Sequence, residues 1–353
     1  MSQVNIGIEV DDMLKPASTY SMEKGDKMLY AGMDVHKKFC EVIICTKEGE
    51  VVRKGRIRTN EKEIRKFFYG LRDVKIAIEA STNWNYIVNV LSRDNHEVVM
   101  AHPLKTRVIA EAKIKSDKID AKILADLARG NLLPTSWIPP QEIVELRDLV
   151  RQRIFLVRQR SKIKNKIHSE LIKRGIEYRG NIFTKHGKEW LHSLRIPAIE
   201  TYLSVMEKLN EEVKKMDKNL RKIEKRFDEV ALLKTIPGIS TFSALVIMAE
   251  IGDVNRFPDE KKLFSYAGLI PSVHRSGDKL YYGHITKQGS KYLRWILVEC
   301  ARIHVRECDS KITEFYKKLK RKGKHGNVAI IGASRKLLQT IYYMLRNKES
   351  FQG

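Results

Sequence analysis

The chain has 353 residues, 42% of them hydrophobic, enough to bury a sizeable core spread over two or three domains. Its 67 Lys and Arg against 43 Asp and Glu leave a formal net charge of +24, which makes nucleic acid the leading partner class and an anionic membrane surface the runner-up. No apolar run approaches the roughly 18 residues of a membrane-crossing helix, so a membrane partner is not expected.

Residues 1–27 lack the basic-then-apolar order of a signal peptide and read as a loose N-terminal extension. "MLYAGMDVHKKFCEVIICT" (28–46) holds two apolar segments, and "VVRKGRIRT" (51–59) alternates, so three meandering strands are predicted. Helical "EKEIRKFFYGL", the strand "VKIAIEA" (74–80), helical "NWNYIVNVLSRD", the strand "HEVVMAH" (96–102) and helices to Gly130 follow. That order predicts a mixed α/β sheet covered by helices, as in ribonuclease-H-like nucleases, over residues 28–135. "PTSWIPP" (134–140) punctuates its end. Cys40, Cys45, Cys300 and Cys308 show neither paired zinc spacing nor a disulfide framework, and are expected as free thiols in a reducing cytosol.

The segment 141–230 reads as a basic helix followed by a coiled coil. Residues 151–174 hold nine Lys or Arg against one Glu, a local charge of +8. That is either a solvated face or, as preferred here, one that tracks phosphates through Arg158, Arg160, Lys162, Lys164 and Lys166. Apolar residues then recur at Tyr202, Met206, Leu209, Val213, Met216, Leu220, Ile223, Phe227 and Val230, a 4,3 seam over four heptads. Such a seam needs a partner, either the basic helix or another protomer. An antiparallel hairpin with 141–175 that also serves dimerisation is the favoured arrangement. From residue 231 to 349 the pattern is mostly α-helical, and "IPGI" around Gly238 has the form of a helix-hairpin-helix turn, in which a glycine lets backbone N–H groups approach a phosphate. The same tripeptide suits any helix-to-helix turn.

A ribonuclease-H-like site requires an Asp on the first strand, an acid ending the fourth, and further acids on a later helix. Asp34 follows "LYAGM", Glu79 ends "KIAIE", and Asp117 and Asp120 lie three apart at the head of "DKIDAKILADLARG". Asp117 alone reads as a helix cap and Glu79 alone as a strand-end polar residue. Together the four carboxylates are placed to hold two Mg²⁺ ions (Mn²⁺ substituting) for phosphodiester cleavage. His36 shares the strand face of Asp34 if the strand reaches it, but the favoured placement is facing solvent at the turn.

"GMDVHK", "AIEAS", "KSDKIDAKILA", "TIPGIS", "FSYAGLIP" and "RSG…ITKQGSKYLRW", in order from about residue 28 to about 345, resemble the DEDD-type insertion-sequence transposases, the bridge-RNA-guided serine recombinase family. The resemblance implies a RuvC-like N-terminal domain, a coiled-coil middle and a C-terminal transposase domain that supplies a serine. Carried over by motif, the metal-binding acids are Asp34, Glu79, Asp117 and Asp120, and the serine is Ser276. Two departures are visible: "EAST" stands where the family often has "EATG", and "KSDKIDA" has Ser for Thr. The long extension has no counterpart.

The activity so implied is that of an RNA-guided recombinase in a prokaryotic, nucleoid-associated, cytoplasmic setting. It would move its own element, with donor and target DNA, an element-encoded guide RNA and a homo-oligomer (dimer or tetramer) as partners, and with a site completed by another protomer. A junction-resolving endonuclease using metal and water alone would have no need of Ser276, and a non-catalytic DNA-binding scaffold would need none of the acids. Ser290, in "KQGSKYLRW", competes as nucleophile but reads as a helix cap. His274 and Arg275 flank Ser276 and are placed either to orient a phosphate or as ordinary loop residues, and "SGD" is also turn chemistry.

Overall fold

The computed structural model describes residues 28–109, 117–276 and 279–353, with the backbone alone for 274–276, 279 and 280. The predicted extension over 1–27 lies outside the described residues. The chain divides into two compact units, one up to Ile138 and one from Pro139 onward.

In the first unit the elements run β1 (Leu29–Val35), β2 (Phe39–Cys45), β3 (Val51–Arg58), α1 (Glu61–Phe68), β4 (Val74–Ile78), α2 (Trp84–Ser92), β5 (Glu97–Ala101), α3 (Pro103–Ile109), α4 (Asp117–Arg129) and β6 (Thr135–Ser136). They build one sheet in the order β3-β2-β1-β4-β5-β6. β1 to β3 pair antiparallel, and β4 and β5 run parallel to β1. This is the predicted mixed sheet, with one correction at its end. "PTSWIPP" is more than punctuation, because Thr135 and Ser136 pair antiparallel with β5 as a sixth strand.

Side chains alternate between the faces of a strand, and here the alternation sorts two cores. Leu29, Ala31, Met33 and Val35 of β1 join Ile76 and Ile78 of β4 in a cluster closed by Ile64 and Phe68 of α1 and Ile87, Val90 and Leu91 of α2. Tyr30 and Ala77 face the other way, into a cluster with Leu124 and Ala128 of α4. Asp34 shares the parity of Tyr30, and Glu79 that of Ala77. The α4 face therefore receives both acids.

The second unit holds α5 (Gln141–Ile172), α6 (Lys185–Ser193), α7 (Pro197–Ile223), α8 (Asp228–Leu233), α9 (Thr241–Ile251), α10 (Glu260–Ala267), β7 (Pro271–Ser276), β8 (Lys279–Ile285), α11 (Lys291–Glu307), α12 (Lys311–Arg321) and α13 (Gly326–Asn347). α5 and α7 pack as an antiparallel pair: Arg153 meets Asp217, and Arg160 donates to Asn210 at 3.0 Å. Met206, Val213 and Leu220 are buried in the seam, while Leu209, Met216 and Ile223 are only half-buried.

The four-heptad helix is corrected at its end. α7 stops at Ile223, and Phe227 sits in extended backbone (φ −127°, ψ 103°) before α8. Asp228 and Glu229 open the new helix, where a helix N-terminus favours acids. Residues 244–251 of α9 are all buried, as an all-round apolar helix must be, and Ala333, Leu337 and Ile341 of α13 are likewise fully buried in this unit. The β7–β8 hairpin is an addition to the helical pattern expected there.

Candidate active site

One row of residues crosses the first sheet. Asp34 on β1 pairs in register with Glu41 on β2, which pairs with Arg56 on β3. On the other side, Met33 pairs with Ile78, so Glu79 follows β4 beside Asp34. Asp34, Glu41, Arg56 and Glu79 lie on the face covered by α4, whose buried stripe is Ala121, Leu124, Ala125 and Ala128. Asp117 is one turn N-terminal to Ala121, so the stripe that packs on the sheet becomes acidic where the strands end. The helix comes very close. A Cβ on Gly32 would lie 1.9 Å from the carbonyl oxygen of Ala121, so only glycine permits this approach.

Of the four predicted acids, Asp34 and Asp117 come together beside His36, and Glu79 and Asp120 lie close enough for their charges to act on Asp34. Asp34 is 5% exposed, and its pKa is raised, first by burial and then by the nearby charges of Glu79, Asp117 and Asp120, with His36 acting in the opposite direction. Glu79 is exposed, and Asp117 and Asp120 are half-buried. Asp34 is thus the enclosed member of an otherwise open acidic site.

Three further residues belong to the site and were not assigned to it from the sequence. Glu41 is buried and takes an ion pair from Arg56, whose Nη2 also lies 3.4 Å from Asp117 Oδ2. The guanidinium stacks 4.1 Å from the Phe39 ring centroid. His36, expected to face solvent at the turn, instead turns its Nε2 toward the acids, 3.1 Å from Asp34 Oδ2 and 3.5 Å from Asp117 Oδ2. The available signal was a Glu inside the apolar run "FCEVIIC"; the pairing that brings Arg56 to it depends on register across two turns.

In the second unit, Ser276 is the last residue of β7 and pairs with Lys279 at the head of β8, so it stands at the tip of a two-stranded hairpin. Gly277 and Asp278, the predicted turn residues, lie outside the described residues, as do the side chains of His274, Arg275 and Ser276. Val273, Tyr281 and Tyr282 on the same hairpin are exposed. The glycines of "AGLIP" and "KQGS" meet at its base. A Cβ on Gly289 would be 2.0 Å from the Tyr266 carbonyl, and one on Gly268 would be 2.3 Å from that of Gln288.

Ser290 caps α11, accepting from the Leu293 amide at 3.0 Å, as its sequence position predicts. Its hydroxyl also donates to Glu250 Oε2 at 2.8 Å. Arg151 holds the same carboxylate with two bonds, at 2.9 and 3.0 Å.

Residues 230–317 match the family model described as transposase of the IS116/IS110/IS902 family, and residues 31–173 match a second model, a DEDD transposase of the IS110 type. The two lie in order on the two halves of one chain. This chain belongs to the IS110/IS116 family of transposases. The transposase is 24% identical over 286 residues to the transposase for insertion sequence element IS1328 of Yersinia enterocolitica, covering 79% of this chain and 84% of that one. It is 28% identical over 290 residues to a pilin gene-inverting protein of Moraxella bovis, covering 80% and 83%. With the transposase for IS1111A of Coxiella burnetii it shares 25% identity over 256 residues, 67% of this chain and 68% of that one. The transposase is accordingly a DNA-recombining enzyme, and among the described residues no helix is long and apolar enough to cross a membrane.

DEDD-type transposases usually use divalent metals, and the donors here fit one. Carboxylate oxygens suit hard divalent cations, and Asp34, His36 and Asp117 bring ligand atoms within 4.8 Å of one another. The enclosed His36 Nε2 has no hydrogen-bond partner, an orphaned atom facing the acids. On the basic helix of the transposase, Lys162, Lys166 and Arg158 are exposed, the last over the Tyr292 ring at 5.7 Å. Arg160 is engaged by Asn210, and Lys164 lies 4.6 Å from the Phe183 centroid. Gly238 has φ +91°, and a Cβ there would meet the His304 amide of α11 at 2.9 Å, so its conformation and close helix packing both require glycine.

Proposed function

We propose that this transposase excises and inserts its element by two transesterifications, with Asp34, Glu79, Asp117 and Asp120 holding Mg²⁺ and Ser276 as the nucleophile. What carries the reading is the convergence of the four carboxylates around a buried Asp34 whose charge the others disfavour. When bound, the metal would supply Lewis acidity and charge neutralisation for phosphodiester exchange. The serine oxygen bonds to phosphorus as the bond to the departing sugar oxygen breaks. The serine proton goes to a base, and the departing oxygen takes up a proton. The phosphoserine conserves the energy of the phosphodiester, and attack by the incoming strand's hydroxyl reverses the exchange and restores Ser276. Its place at a hairpin tip, among exposed side chains, suits a group that must reach into a nucleic-acid backbone.

Sequence choice is delegated to an element-encoded RNA that pairs with donor and target DNA, while Lys162, Lys166 and their neighbours on α5, with Arg275 and the Gly238 turn, contact phosphates. The family resemblance and the net charge of +24 support this. The working unit is a homo-oligomer, dimer or tetramer, assembled through the half-buried side of α7 that carries Leu209 and Met216.

Wild-type protein incubated with element-end DNA and Mg²⁺ should yield a protein–DNA adduct that survives denaturation, absent in Ser276→Ala and present in Ser290→Ala. Cleavage with no adduct would instead indicate a nuclease using metal and water. Sequencing the RNA that copurifies should return one discrete species encoded beside the gene; bulk host RNA would remove the guide.

A further inference from the structure

The motif "GMDVHKK" carries a side chain that the four-carboxylate scheme leaves unused. His36 follows directly on β1, and its backbone is held from three directions. Its N–H donates to Phe39 O at 3.0 Å, and its carbonyl accepts from Thr59 Oγ1 at 2.9 Å and from Asn83 Nδ2 at 3.3 Å. The imidazole leans on the Phe39 ring, centroids 4.6 Å apart. So supported, Nε2 stands between two of the proposed metal ligands. It is enclosed, and neither carboxylate is aligned with it for an N–H···O bond, although both are near.

The spacing has another explanation. Two donors bound to one cation through bonds of about 2.1 Å lie about 3.0 Å apart when at right angles and about 3.4 Å apart at the tetrahedral angle. The gaps from Nε2 to Asp34 Oδ2 and Asp117 Oδ2 are 3.1 and 3.5 Å. We infer that His36 is a nitrogen ligand of a divalent ion shared with Asp34 and Asp117, so that one of the metal positions of this transposase has a mixed nitrogen–oxygen donor set.

This rests on the four-carboxylate reading above and adds a consequence to it. Mg²⁺ takes oxygen ligands and keeps its waters, whereas Mn²⁺ and the later divalent metals accept imidazole more readily. The His36 position should therefore prefer Mn²⁺ to Mg²⁺.

Pulsed electron paramagnetic resonance of the full-length protein loaded with one equivalent of Mn²⁺ tests the ligand directly. A ¹⁴N coupling from directly bound imidazole is expected in the wild type, and its loss in His36→Ala. In the same variant the Mn²⁺ dissociation constant should rise about tenfold and the Mg²⁺ constant much less. Thermal melting of the metal-free variant checks that it is folded, and the wild-type spectrum requires no variant at all. Mn²⁺ that binds, is lost in Asp34→Asn, and shows no ¹⁴N coupling would overturn the proposal while leaving the carboxylate site standing. A coupling that persists in His36→Ala would also overturn it. Mn²⁺ binding indifferent to both Asp34→Asn and Asp117→Asn would remove the carboxylate site, and this inference with it.

Discussion

Among the buried carboxylates of this transposase, Glu250 and Asp34 are treated in opposite ways. Glu250, in the second unit, is fully enclosed but saturated. Arg151 grips both of its oxygens, Ser290 donates a hydroxyl, and the Arg147 guanidinium and the Tyr266 hydroxyl bond the backbone carbonyl beside it. Burial works against the Arg151 charge, yet its bonds to Glu250 prevail and hold its pKa above the ordinary value. Asp34, in the first unit, is also buried, but the charges of Glu79, Asp117 and Asp120 act against its own, with the half-buried His36 alone acting to lower its pKa. A buried acid with its charge met ties elements together. A buried acid among other acids leaves attraction unspent for a cation, and that imbalance marks the functional site.

The contrast is broken most strongly at Asp34. Asp34→Asn should abolish Mg²⁺-dependent strand cleavage while leaving nucleic-acid affinity within about twofold, because affinity comes from Lys and Arg. It should also raise the melting temperature of the metal-free protein. The folded pKa of Asp34 lies above its ordinary 3.8, so ionisation costs stability. The penalty is absent below that pH, grows as pH rises through the window between the ordinary and raised values, and is fully present at neutrality. Calorimetry should find a metal-free wild type that loses stability across that window more steeply than the variant does. Added Mn²⁺ should stabilise the wild type and not Asp34→Asn. A variant that melts below wild type at pH 7 without metal would mean that Asp34 is a structural acid like Glu250.

At Glu250 the expected effect is on stability. Glu250→Ala leaves the Arg151 guanidinium without its partner, and removing one member of a buried pair costs about 3–5 kcal/mol. Arg151 is 39% exposed at its side chain, so solvent screening brings the expectation down to about 2–3 kcal/mol. Denaturant unfolding would measure it, and Glu250→Gln, which keeps an acceptor for Arg151 and Ser290, should recover part of the loss.

The acidic site was largely legible before the fold. Period-two alternation along "LYAGMDV" and "VKIAIE" puts Asp34 and Glu79 on one face, and a three-residue step puts Asp117 and Asp120 on one side of a helix. Neighbours set by register were not legible. Nothing in "KEGE" states that Arg56 will lie opposite Glu41, and His36 turns inward because Thr59 and Asn83, distant in sequence, hold its carbonyl. The β7–β8 hairpin escaped for a related reason. Among the described side chains of these two short strands none is buried, and Val273, Tyr281 and Tyr282 are exposed, so those residues impose no alternation. The 4,3 spacing lies on one helix, α7, as far as Ile223. It ran on through Phe227 and Val230 because both are buried on either side of a break that leaves no gap in hydrophobicity.

The basic helix sharpens the comparison in milder fashion, since some of its cations are engaged and others are not. Lys162→Glu with Lys166→Glu, both exposed, should weaken DNA and RNA binding about tenfold or more. The slope of log affinity against log salt should become shallower by roughly 1–2, as fewer counterions are released. Arg160→Gln removes a charge already hydrogen-bonded to Asn210, and should change the slope less. Equal slopes for both variants would mean that engagement with α7 does not withdraw a cation from phosphate.

The smallest effect is expected at Ser290, and it bears on both acids at once. Ser290→Ala removes the cap of α11, about 1 kcal/mol, and the hydroxyl bond to Glu250, about 1 kcal/mol more. Because Arg151 still meets the carboxylate, the loss should stay near 2 kcal/mol rather than approach that of Glu250→Ala, and the double variant Ser290→Ala with Glu250→Ala should cost less than the sum of the two. The same protein should still form the phosphoserine adduct, since the Ser290 oxygen is already committed to an amide and a carboxylate. Denaturant curves and adduct yield on one preparation separate the possibilities. A stable variant that lost the adduct would transfer the nucleophile from the hairpin tip to the helix cap, whereas a destabilised one that keeps it places Ser290 with the acid whose charge is met.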